Sequence, residues 1–120
     1  MRVIEVTKEM TVLPLGRMGE NERVQFVFDV SETIEEFPEA DILLINQLPH
    51  SKDTYACEIE GPDEEGKIIW TITSTETATE GTGCCQLAAV EGTAIAKSKA
   101  WDTKIEKGLA IPPEEEEEVT

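Results

Sequence analysis

Apolar and polar residues alternate with a period of two along most of this chain. In VQFVFDV, Val24, Phe26, Phe28 and Val30 fall on one side, with Gln25 and Asp29 on the other. TYACEIE groups Tyr55, Cys57 and Ile59 against Thr54, Ala56, Glu58 and Glu60. KIIWTIT groups Ile68, Trp70 and Ile72 against Lys67, Thr71 and Thr73. Neighbouring side chains of a strand point to opposite faces, so these runs predict half-buried sheet. ADILLINQL is a continuous apolar run of strand length, as a strand covered on both faces would have. The pattern predicts strands near 2–6, 10–13, 23–30, 41–48, 54–60, 67–74, 82–91 and 94–106.

The segments between these runs carry turn chemistry. EGPDEEGK has Pro62 and Asp63 early and Gly66 late, so the runs at 54–60 and 67–74 are expected to form a hairpin. LPLGRMGENE and QLPHSKD read as loops, and VEGTA as a tight turn. SETIEEF fits either an irregular connection or one helical turn, with Thr33 as cap, Glu36 three residues on, and Pro38 as its end. With no long helical pattern, the expected fold is all-β, an antiparallel β-sandwich of seven to eight strands over residues 1–110. The remainder, 111–120, holds two prolines and five glutamates and reads as a disordered tail or the start of a linker.

A chain of 120 residues suits one domain with a real core. Ten basic against 26 acidic residues give a net charge of −16, which repels phosphates. Neither nucleic acid nor an anionic membrane is therefore an expected partner. No apolar run approaches the ~20 residues that span a bilayer. MRVIEVTKEM alternates and carries acids, unlike a secretion signal, so synthesis in a cytoplasm is expected. Three cysteines is an odd number, and reduced thiols are the reading.

The adjacent Cys84 and Cys85 raise the question of chemistry. Alternation puts Cys85, Leu87 and Ala89 on one face and Cys84 on the other, so at most one sulfur points inward. A zinc site wants two closely spaced ligand pairs, and the remaining candidates are Cys57 and the single His50. A catalytic thiol wants a base beside it, and no feature brings His50 near Cys84. The acidic turn Asp63–Glu65 lacks the spacing of a calcium loop. No catalytic residue, metal or cofactor is expected. Trp70 is expected in the core, while Trp101, in phase with Thr103 and Ile105, could pack inside or face out. Tyr55, Trp101 and His50 are the candidate surface contacts, with Arg17 and Met18 beside them. An exposed Trp101 or Tyr55 would make a carbohydrate-binding module the alternative function.

One resemblance adds to this reading. Trp70, Thr77 to Thr79, Gly81, Gln86 and Leu87, Gly92, Ser98, Trp101 and Ile105 follow one another in a familiar order. Over residues 65–110 the chain resembles the N-terminal immunoglobulin-like domain of phage baseplate upper proteins, head fibres and related minor structural proteins. The resemblance implies an immunoglobulin-like sandwich that docks and does not catalyse. It implies a virion location after synthesis in the bacterial host, with capsid, portal or baseplate subunits as partners and a homo-oligomer also compatible. The Pro-rich acidic end is similar to the linker that follows such domains.

Overall fold

The computed structural model describes residues 1–112. The expected tail therefore lies, but for Ile111 and Pro112, outside the described residues. In chain order the elements are β1 (Arg2–Glu5), β2 (Val12–Arg17), β3 (Val24–Asp29), α1 (Ser31–Glu36) and β4 (Asp41–Gln47). They continue with β5 (Tyr55–Cys57), β6 (Lys67–Thr71), β7 (Gly81–Glu91) and β8 (Ala94–Glu106). A three-stranded sheet has the order β1-β3-β6, and a five-stranded sheet the order β2-β8-β7-β4-β5. The chain is an all-β sandwich.

The predicted alternation builds the core. Val24, Phe26, Phe28, Ile68, Trp70 and Ile72 line the inside of the smaller sheet and its margins. Leu13, Leu15, Leu44, Cys85, Leu87, Trp101 and Ile105 line the inside of the larger one. Each fully buried aliphatic or aromatic side chain contributes about 1.5–3 kcal/mol. Pairing fixes the phase: Phe26 lies opposite Trp70 and Phe28 opposite Ile68 in the β3–β6 register.

The sheets are mixed, not antiparallel throughout as alternation and turn spacing suggested. β1 runs parallel to β3, and β2 parallel to β8. Parallel neighbours need a crossover connection. Between β1 and β3 that crossover is β2 itself, which sits in the opposite layer. The first two strands thus attach one to each sheet.

The expected hairpin across EGPDEEGK is also corrected. β5 pairs with β4, in the five-stranded sheet, whereas β6 belongs to the other sheet. Only an isolated bridge, Glu60 to Ile69, links the two segments. Asp63 spends its carboxylate inside the turn, accepting from the N–H groups of Glu65 and Lys67. By contrast, β7 and β8 do form a hairpin through Gly92, which has φ +63.

Candidate functional site

β3 ends at Asp29, whose carboxylate takes the Ser31 N–H at 2.9 Å and the Ser31 hydroxyl at 2.6 Å. These hydrogen bonds from Ser31 hold the Asp29 carboxyl below its usual range. They turn the chain into α1, whose N-cap position is Val30 and not the expected Thr33. Phe37, just before Pro38, ends the helix as the sequence predicts. The six-residue helix buries none of its side chains. It crosses one end of the sandwich without sealing it.

An open cleft of about 540 Å³ remains there. Its walls are β3, α1, the Val6–Lys8 segment and the hairpin end of β7 and β8. Phe28 and Trp101 meet edge to face at the floor, with centroids 5.3 Å apart and planes at 61°. Ala88, Ala89 and Ala96 leave room where larger side chains would fill it. Lys8, Lys97, Asp29, Glu32 and Glu36 supply charges of both signs to its lining. The volume falls within the range of ligand and docking pockets.

A β-bulge shapes the open side of this cleft. The β7–β8 register shifts between Gln86, opposite Ala100, and Ala88, opposite Lys97. Ser98 and Lys99 are left facing Leu87. Ser98 Oγ accepts the Leu87 N–H at 3.1 Å, and Gln86 Nε2 donates to the Ser98 carbonyl at 2.7 Å. Bulges re-aim side chains. Here Lys99 Nζ swings over the Trp101 ring, 5.8 Å from its centroid. It donates to the carbonyls of Lys8 and Met10 at 2.7 and 2.8 Å, bracing the β1–β2 connection against β8.

Of the residues singled out from sequence, Trp101 lies at the cleft floor and the others land elsewhere. Trp101 is only 5% exposed, so it is a core residue and not a surface contact. Its parity with Thr103 and Ile105 sends all three inward. The aromatic stacking face of a carbohydrate-binding module loses its indole with it. Tyr55 is half-buried, and its hydroxyl is committed: it donates to Glu76 at 2.8 Å and accepts from Asn46 at 3.0 Å. Glu76, 5% exposed, also accepts from the N–H and hydroxyl of Thr73, both at 2.8 Å. Burial pushes the Tyr55 hydroxyl pKa upward. His50 is exposed in the loop after β4, with φ +64. It rests against Gly81, where a Cβ would come within 3.3 Å of its Nε2. Arg17 is exposed, and Met18 packs partly against the core. The structure does not bring Tyr55, His50, Arg17 or Met18 into the cleft.

The cysteine phase is as predicted: Cys85 is buried and Cys84 half-buried, both free thiols together with Cys57. Among the described residues, no group of three or more His, Cys, Asp or Glu gathers at metal-binding distance. No helix among them is long and apolar enough to cross a membrane.

Two packed sheets, an unsealed end and parallel first strands define an architecture that can be compared with solved structures. It is similar to the N-terminal domain of phage TP901-1 ORF48. The match covers 88% of this chain and 95% of that one, with a TM-score of 0.54 and 9% sequence identity. The ORF48 domain is thus matched over nearly its whole length, and at this identity the likeness is one of fold. No protein-family model matches the chain, and no curated protein does.

The cleft was not visible in the sequence, yet one signal for it was. Lys97, Lys99 and Trp101 share a parity, and an unbroken strand would send both lysines inward with the indole. Unpaired buried lysines are costly, so a phase break before Trp101 was required.

Proposed function

We propose that this chain is a non-catalytic structural module of a phage virion, a baseplate or head-fibre component, that docks onto other virion subunits. The observation that carries the reading is the likeness to the ORF48 domain along nearly the full length of both chains. The sequence resemblance over residues 65–110 points the same way.

The strand order supports an immunoglobulin-like kinship within this proposal. An immunoglobulin variable domain places A-B-E-D on one sheet and G-F-C-C′-C″ on the other. Here β1-β3-β6 and β8-β7-β4-β5 occupy the A-B-E and G-F-C-C′ places, with no strand in the D and C″ places among the described residues and β2 added beyond β8. β1 departs by running parallel to β3. The disulfide that links the B and F strands of antibody domains has no counterpart, because β7 carries Cys85 while β3 carries phenylalanines.

Docking would be rigid-surface association at the unsealed end. The half-buried Val6, Phe37, Ile42 and Ala96 on its walls offer apolar area to bury, and the lysines and glutamates around it set the partner's orientation. Capsid, portal or baseplate subunits are the proposed partners. The test is immunogold electron microscopy of purified particles with an antibody raised against this chain. Gold is expected on the capsid or at the tail tip. Gold-free particles, with the chain confined to the host lysate, overturn the proposal. Ala96→Arg, which blocks the cleft at a half-buried position, is expected to lower labelling without lowering the melting temperature.

A further inference from the structure

Open strand edges invite pairing with another chain, and most proteins blunt them. Most edges here are blunted. β2 carries Pro14 and shifts register before Gly16. β5 is three residues long. The front of β8, beyond its pairing with β2, carries Lys97, Lys99 and the bulge. β6 is capped by Glu60, which exchanges two 2.9 Å hydrogen bonds with Ile69.

β1 is short and carries Arg2 and Glu5, but no proline, bulge or covering bridge interrupts its free edge. Its four residues hold one regular register against β3. The Arg2 N–H donates to the Arg23 carbonyl and the Val6 N–H to the Val27 carbonyl, each at 2.9 Å. Backbone groups alternate sides along a strand. Arg2, Ile4 and Val6 therefore face β3, while Met1, Val3 and Glu5 turn theirs off the sheet. Among the described residues, no backbone hydrogen bond reaches those outward groups. Val3 is 57% exposed and Met1 64% exposed.

We propose that β1 pairs antiparallel with β1 of a second copy of this chain, across a two-fold axis at Val3, making one continuous sheet from two three-stranded ones. The argument for a second copy is self-complementarity. A two-fold axis normal to the sheet must set inward-facing residues opposite inward-facing ones, so only registers of matching parity are allowed. Centring on Val3 puts Val3 opposite its twin, Arg2 opposite Ile4, and Met1 opposite Glu5. All three outward residues then exchange backbone hydrogen bonds. Centring on Ile4 leaves Met1 without a partner among them. The Val3 register also covers the exposed valine with a β-branched cross-strand pair. An edge this short makes a small, weak interface. Each copy carries −16, so repulsion opposes the pairing and added salt strengthens it. This surface is separate from the docking cleft and does not depend on the virion reading.

Light scattering tests the pairing at about 0.1 mM chain in about 0.5 M NaCl. The expected mass is twice the 13.3 kDa of the chain, falling to the single mass on dilution or at low salt. Val3→Pro deletes an outward N–H that the monomer does not use, an edge position where proline is tolerated. It should stay folded by circular dichroism and scatter as a monomer. Val3→Lys, which sets two like charges on the axis, should also scatter as a monomer, and it alone decides if the proline variant unfolds. A wild-type chain that stays monomeric at this concentration overturns the proposal. So does a dimer that persists in the lysine variant.

Discussion

Cys57 and Cys85 are held as neutral thiols by the apolar layers around them. Burial pushes both from the ordinary value of 9.0 up to about 12, with the buried Glu76 carboxylate adding to the effect at Cys57. Above pH 9 an unfolded chain releases thiol protons that the folded chain keeps, so rising pH favours unfolding. The contribution is whole below pH 9 and is lost between pH 9 and about 12. Tyr55, shifted upward as well, adds to the loss above its ordinary value of 10.0. Calorimetric melting temperatures should hold steady up to about pH 9 and fall beyond it. Cys57→Ala should flatten that fall. A disulfide-exchange probe at neutral pH should label the half-buried Cys84 ahead of the buried Cys85, because access limits the rate. The alternation that silences Cys85 also draws the Trp101 indole inside.

Among the elements, β8 carries the most information. Its bulge is held by the Ser98 hydroxyl, which accepts the Leu87 N–H and donates to the Lys99 carbonyl. Ser98→Ala strands a half-buried N–H and should destabilise the fold by about 1–3 kcal/mol. Ser98→Thr, which keeps the hydroxyl, should retain most of that stability. Urea unfolding at unchanged m value separates the two. Strands such as 24–29, 67–71 and the 100–106 end of β8 were readable from sequence because one face of each meets the core and the other lies nearer water. Their partners were less readable. Tyr55–Cys57 and Lys67–Thr71 flank a convincing turn, yet alternation is blind to which sheet a strand joins. Parallel attachment of β1 and β2 leaves no local trace either, because the partner strand is distant in the chain. The cleft has no local trace for a similar reason. Phe28, Ala89, Ala96 and Trp101 are ordinary strand residues until topology brings them to one unsealed end.

At the scale of the whole molecule, the two layers are tied by their first strands. β1 edges one sheet and β2 edges the other, so residues 2–17 clasp both layers before the core strands begin. The charge of −16 acts across the same assembly, favouring solubility and keeping copies apart at low salt. The parallel seam between β2 and β8 has a mechanical meaning. Val12 lies opposite Asp102 and Arg17 opposite Glu106, so both strands start at the same end. Tension entering at the start of β2 and leaving at the end of β8 drags them in opposite directions along their length. The seam must then yield by sliding, with its hydrogen bonds loaded together, and not by unzipping one at a time. Single-molecule stretching between the two ends of the domain should show one distinct rupture peak once β1 has peeled away. A featureless extension would contradict it. A tether strung through this domain would bear a pull along its axis and give way easily only to one from the side.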